Sequence, residues 1–255
     1  MRRPHLECVL RYLVLSDIHA NWYALQAVIA DAAGDFDQIV CCGDLVGYNP
    51  HPAQVIEWVR KHCAASIRGN HDKAVAGLEN LEWFNEIAQT AARWTMSVLD
   101  TPAVQYLRDL PKGPLELGGF AICHGSLQDE DEYVSSTSEA VAVFAHARSH
   151  LTFFGHTHLQ GGFFSKYGRL GAIVQVPRRY RDVTIALEPD VVYLINPGAV
   201  GQPRDGDARA AYAIFDSDHR LVMLRRVEYP VQKTANDIRA AGLPALLALR
   251  LFQGF

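Results

Sequence analysis

Short, strand-like runs with few charged residues recur through the first two thirds of the chain. They are Tyr12-Leu13-Val14-Leu15, Gln38-Ile39-Val40-Cys41-Cys42, Ala64-Ala65-Ser66-Ile67-Arg68, Phe120-Ala121-Ile122-Cys123 and Leu151-Thr152-Phe153-Phe154. Such runs, apolar at successive positions rather than alternating, read as strands buried on both faces. Between the first two, Leu25, Val28 and Ile29 recur at helical spacing behind Asn21, a residue type that caps helix N-termini. Strand, helix, strand in that order predicts a right-handed crossover and a parallel pair. Val55, Ile56 and Val59 place a second helix over 53–62.

Residues 73–110 lack strand patterning and are rich in Ala, Glu, Trp and Leu. They predict two or three helices, expected to form a cap over one edge of a site. Trp58, Trp83 and Trp94 are expected to pack in the core or cap, with one cap aromatic free to stack on a base. Leu115-Glu116-Leu117 and Phe120–Cys123 read as a hairpin around Gly118-Gly119. An acidic loop over 128–136, a helix over 138–149 and the strand ending at Phe154 follow.

The last third changes character. Short apolar runs at 162–164, 172–176, 183–186, 191–195, 211–215 and 221–224 are separated by turns, a spacing that favours antiparallel pairing. A Gly/Pro-rich loop occupies 196–206, and 232–255 is helical apart from Gly242-Leu243-Pro244. No repeat, low-complexity tract or linker interrupts the pattern. The expectation is one α/β domain over 1–255 with a helical insertion at about 73–110.

Composition narrows the function. The chain has 255 residues, 49% hydrophobic, with a net charge of −4. It can bury a sizeable core, and it lacks the positive balance of a nucleic-acid or acidic-membrane binder. No run approaches the ~18 apolar residues of a membrane span. Met1-Arg2-Arg3 is not followed by a clean apolar stretch, because Glu7 and Arg11 interrupt it. A cytoplasmic location is expected. Cys8, Cys41, Cys42, Cys63 and Cys123 are an odd number without Cys-x-x-Cys spacing, and are expected as reduced thiols. No glycine loop of the Walker or dinucleotide type is present.

The chemistry lies where the apolar runs stop. Each ends in a polar cluster: Asp17-Ile18-His19, Gly43-Asp44, Gly69-Asn70-His71-Asp72, His124-Gly125 and Gly155-His156-Thr157-His158. In extended chain Asp17 and His19 would project to the same side. Carboxylate and imidazole together suit a borderline divalent metal. His5, His51, His62, His146, His150 and His219 fall outside these clusters and are expected to be ordinary.

In that order the five motifs resemble the calcineurin-like metallophosphoesterase superfamily. The match runs from Asp17 to His158, and the Gly43–Tyr48 segment and the 196–206 loop resemble its small single-domain prokaryotic phosphodiesterase branch. The resemblance implies a four-layer α/β/β/α sandwich of two mixed sheets. It implies two divalent transition metal ions, with Mn, Fe, Zn, Ni and Co all open. Asp44 would bridge them. Asp17, His19 and His158 would hold one, and Asn70, His124 and His156 the other. The activity implied is hydrolysis of phosphate esters by a metal-activated water, as a phosphodiesterase or phosphatase. His71 would face the phosphate, as general acid or as a stabiliser of phosphoryl charge, with Asp72 a candidate to orient it. Candidates for substrate contact are Asn21, Arg68, Asn196 and Arg204. A helix cap competes as the reading of Asn21, and a salt bridge as that of the arginines. A nucleotide or dinucleoside polyphosphate hydrolase is the narrower alternative, and a non-catalytic metal-binding scaffold the third. The partner expected is a phosphate-ester substrate, with no stable nucleic-acid complex and no membrane. Substrate, in vivo metal and oligomeric state stay open.

Overall fold

The computed structural model describes residues 10–255. His5, Cys8 and the Met1-Arg2-Arg3 segment lie outside the described residues. The chain opens with β1 (Arg11–Leu15), α1 (Trp22–Asp31), β2 (Gln38–Cys41), α2 (Pro52–His62) and the two-residue β3 (Ala65–Ser66). Helices α3 (Asn70–Val75), α4 (Glu86–Val98) and α5 (Thr101–Asp109), with a 3-10 turn at Leu81–Trp83, fill the stretch expected to be helical. Next come β4 (Leu115–Leu117), β5 (Phe120–Ile122), α6 (Thr137–His146) and β6 (Leu151–Phe153). The last third holds β7 (Gly161–Lys166), β8 (Arg169–Ile173), β9 (Asp182–Ala186), β10 (Val191–Asn196), β11 (Ala210–Asp216), β12 (Leu221–Val227), α7 (Val231–Ala240) and α8 (Ala245–Gln253).

The strands form two six-stranded mixed sheets, ordered β3-β2-β1-β11-β12-β9 and β4-β5-β6-β10-β7-β8. The apolar runs lack alternation because both faces of each central strand are covered. In β1, Tyr12 and Val14 point into the layer between the sheets, where they meet Phe120, Phe153 and Phe215. Leu13 and Leu15 point the other way, onto Leu25 and Val28 of α1 and Val55 and Val59 of α2. Leu194 of β10 turns outward onto Ala140 and Val143 of α6, while Tyr193 and Ile195 turn inward. Helix, sheet, sheet, helix is therefore the order of layers. Each Leu, Ile or Phe so buried stabilises the fold by about 1.5–3 kcal/mol.

Three local expectations shift. The strand expected over 172–176 lies earlier, at β8, because Tyr167 and Gly168 take positive φ (50° and 76°) and close a tight hairpin that pairs Lys166 with Arg169. The helix expected to reach 149 ends at His146. The third strand is only two residues long, because after Ile67 the chain leaves β2: Arg68 N donates to Pro111 O (3.0 Å) before α3 begins at Asn70. Among the described residues no helix is long and apolar enough to cross a membrane.

Candidate metal centre and active site

Strands β1, β2 and β3 run parallel in one sheet, and β5, β6 and β10 run parallel in the other. Loops from the carboxyl ends of these strands converge, the usual ligand position in α/β sheets. Asp17, His19, Asp44, Asn70 and His71 arrive from the first sheet. His124, His156 and His158 arrive from the second.

The local backbone corrects the extended-chain argument for Asp17 and His19. β1 stops at Leu15, and both residues sit in the left-handed region, at φ 52° and 45°. Asp44 (54°), Tyr48 (62°), His156 (65°) and His158 (60°) do the same. A left-handed non-glycine residue costs roughly 1–2 kcal/mol. Hydrogen bonds fix these turns: Asp17 N donates to Gly43 O (3.0 Å) and His19 N to Asp44 O (2.9 Å). Asn70 and His71 occupy the first turn of α3, not a strand end. Gly69 precedes them because a Cβ there would lie 2.1 Å from Asp44 Oδ1.

Two donor clusters result. Asp17, His19, Asp44 and His158 offer ligand atoms within 4.8 Å of one another, and so do Asp44, His124 and His156. Asp44 belongs to both, with Oδ2 3.4 Å from His19 Nε2 and 3.4 Å from His124 Nε2. Asn70 Oδ1 lies 3.2 Å from His124 Nε2. All seven side chains but Asn70 are fully or nearly fully buried.

The tautomers favour a cation. His19 Nδ1 donates to Val46 O (2.8 Å), His124 Nδ1 to Cys42 O (2.8 Å) and His158 Nδ1 to Gln202 O (2.6 Å). Each bond turns Nε2 inward, as a free lone pair on His19 and His158 and as the proton-bearing atom on His124. His156 is reversed: its Nε2 donates to Asp131 O (3.1 Å), so Nδ1 is the free donor atom. Burial pulls His19 and His156 down to about 3 and His158 well below the usual imidazole range. Both rings being neutral, His19 Nε2 and His158 Nε2 face each other at 3.1 Å as two lone pairs with no proton between them. Asp17 Oδ2 is buried without a hydrogen-bond partner. These orphaned donors fit divalent ions. Burial would lower His124 too, but the Asp44 charge, its hydrogen bond and Asp17 outweigh that and push it up to about 10. A metal ion bound there would replace the His124 proton as the charge opposing Asp44.

The calcineurin-like phosphoesterase superfamily domain matches residues 10–220. The chain belongs to this superfamily. It is 37% identical to a metallophosphoesterase from Sphaerobacter thermophilus, whose crystal structure superposes with a TM-score of 0.86 over 97% of this chain and 100% of the other. An uncharacterized protein of Methanocaldococcus jannaschii is 35% identical over 246 residues, covering 94% of this chain and 97% of the relative. A hypothetical protein of Pyrococcus horikoshii OT3 shares the fold, with a TM-score of 0.76 at 20% identity, over 96% of this chain and 99% of the other.

Within this calcineurin-like site, several sequence-based expectations need correction. Asn21 is fully buried and its polar atoms are engaged: Oδ1 accepts from Ala24 N (3.2 Å) and Thr234 Oγ1 (3.0 Å), and Nδ2 donates to Gly201 O (2.9 Å). It caps α1 and has no group left for substrate. Asn196 is also buried, donating to Gly155 O and Thr157 Oγ1 and accepting from Gly198 N. It holds the turn that aims His156 and His158. Arg68 is clamped on both oxygens of Glu130 (3.0 and 2.9 Å). Arg204 alone of the four stays beside the centre, donating to Tyr48 Oη (3.1 Å). Asp72 does not touch the His71 ring: its carboxylate accepts from Gly69 N, Leu45 N and Val46 N. Burial and Asp44 raise it to about 7 against those bonds. Trp83 is not packed but 82% exposed.

Other groups carried no sequence signal. The carbonyls of Cys42, Val46 and Gln202 set the histidine tautomers, yet any residue type supplies a carbonyl. Arg226, fully buried on β12, donates to Gln160 Oε1 (2.9 Å) and pairs with Asp205, anchoring the loop that carries Arg204. Asn21→Ala should be costly through structure alone. Losing the cap and leaving Gly201 O and Thr234 unpaired should destabilise by about 2–4 kcal/mol. A urea midpoint unchanged from wild type would refute that role.

Proposed function

We propose that the protein is a metal-dependent hydrolase of phosphate esters working through a dinuclear transition-metal centre. One observation carries the reading: two buried donor clusters share Asp44, and the second of them opens through His156, beside Asn70, onto a cavity. Asp17, His19 and His158 would hold one ion, Asn70, His124 and His156 the other, and Asp44 both. When bound, such ions supply a water acidic enough to attack phosphorus at neutral pH and offset phosphoryl charge.

The chain's own residues do the rest. The Nδ1–H bonds of His19, His124 and His158 lock their rings and make Nε2 more basic. The His71 backbone N–H donates to Asp44 Oδ1 (2.9 Å), setting the carboxylate's orientation. The His71 ring is buried among His19, Tyr48 and Phe84, and its Nδ1 has no partner. That atom is turned against Gly47, so contact with a phosphoryl or leaving-group oxygen in the cavity would fall to Nε2. Burial lowers this ring to about 4, and a bound phosphate anion would raise it again, towards a proton-donating form. Arg204 is the cation placed to meet a phosphate. The chain is read as one domain, with α3 to α5 as a cap beside the centre. Cys41, Cys42, Cys63 and Cys123 form no disulfide among the described residues, which suits a reducing, cytoplasmic setting.

The test is a panel of phosphate mono- and diesters on protein stripped of metal and reloaded with Mn, Fe, Zn, Ni or Co. Turnover that follows metal loading supports the proposal. Full turnover by metal-free protein would sink it.

A further inference from the structure

We infer that the cavity beside the metal centre selects a phosphate ester whose organic part is flat and uncharged, of nucleoside size, and disfavours substrates carrying further phosphates. This rests on the phosphoesterase reading above and narrows it.

The cavity has a volume of about 440 Å³, within the range of small-molecule sites. Its inner end is Asn70, His71 and His156, so the scissile phosphate belongs there. Its walls are aromatic. Tyr133 lies over the His156 ring at 4.0 Å, and Phe84 meets the His71 ring edge-on at 5.0 Å. Trp83 stands at the mouth on a 3-10 turn with no buried residue of its own. An indole 82% exposed adds little to the fold, but it offers an open face for stacking.

Charge decides what else can enter. Among the described residues no Lys or Arg lines the cavity, whereas Glu79 and Asp131 do. The nearest cations are already engaged. Lys73 Nζ is held by Glu79 (2.8 Å), Asp131 and Glu130 (3.5 Å). Arg68 is clamped on Glu130, and Arg204, held by Tyr48, stands at the metal centre, where the scissile phosphate would take it, and not in the cavity lining. Beyond the scissile phosphate, a polyphosphate chain would run along carboxylates with no Lys or Arg of the cavity lining to meet it. Sugar hydroxyls or a base amino group would instead find acceptors in Glu79 and Asp131. A dinucleoside polyphosphate, one of the substrates the sequence leaves open, is the poorer fit.

The test compares adenosine 5′-monophosphate with adenosine diphosphate and diadenosine tetraphosphate on metal-reloaded protein. kcat/KM should favour the monophosphate by roughly tenfold or more, because each added like charge beside a carboxylate is unfavourable. Glu79→Lys should narrow that ratio by about tenfold, and Glu79→Gln by less. Trp83→Ala should raise KM for the monophosphate at least about fivefold more than for glycerol phosphate, which cannot stack. Adenosine should also quench tryptophan fluorescence in wild type but much less in Trp83→Phe. Polyphosphates hydrolysed as well as the monophosphate, with a ratio unmoved by either Glu79 variant, would overturn this inference alone. Hydrolysis of no phosphate ester at all would overturn the phosphoesterase reading beneath it.

Discussion

Asp44→Asn is expected to abolish activity while leaving the fold intact. Asp44 belongs to both donor clusters, so among the described residues no other single substitution removes a ligand from each. The amide oxygen can still accept from His71 N, the bond that Oδ1 makes in wild type. What disappears is the negative charge that opposes the His124 proton and that both ions would share. Losing several kcal/mol of charge stabilisation corresponds to about a thousandfold or more in kcat. Elemental analysis should fall from two transition metals per chain to one or none. Asp44→Ala should lose metal equally and stability besides, since it leaves His71 N unpaired. A variant that keeps two ions and near-normal turnover would remove Asp44 from the bridging position.

His71→Asn is expected to separate proton donation from metal binding. The ring lies outside both donor clusters, so the metals should stay. General acid catalysis contributes about 10²- to 10⁴-fold, and the gain is largest for leaving groups that need a proton. Alkyl phosphates should therefore lose about that factor. A nitrophenyl phosphate, whose leaving group departs as a stable anion, should lose far less. Equal losses on both would assign the ring to stabilising phosphoryl oxygens. Loss of metal would place His71 among the ligands.

Much of this architecture was legible because the two faces of each strand do different jobs. Val14 and Leu15 are both apolar since one faces a sheet and the other a helix, and that doubly buried pattern marked β1. The polar clusters then stood out against apolar runs. What stayed hidden was set by backbone rather than side-chain type. The left-handed turns at Asp17 and His19 replace the extended geometry assumed for them. His156 turns its opposite nitrogen inward because Asp131 O happens to lie at Nε2. Arg68 could be read as a phosphate contact or as a salt bridge because its partner, Glu130, is 62 residues away in sequence, and the salt bridge is what forms. Asn196 looked like a polar group near a site, and only its bonds to Gly155 and Thr157 show it occupied, whereas for Asn21 the helix-cap reading is the one that forms, through Ala24 N.

The division of donors between two sheets has a mechanical consequence. The 3.4 Å between Asp44 and His124 joins residues from opposite leaves of the sandwich, so it is fixed by the thickness of the layer between them. That layer is filled by rings such as Phe153 and Phe215, 5.9 Å apart. Thinning it, for instance with Phe153→Leu, would let one leaf settle toward the other and detune the donors from well outside the site. Metal affinity is then a ruler for the distant core. An ion seated across the seam would act in turn as a rivet, raising the temperature at which the leaves part.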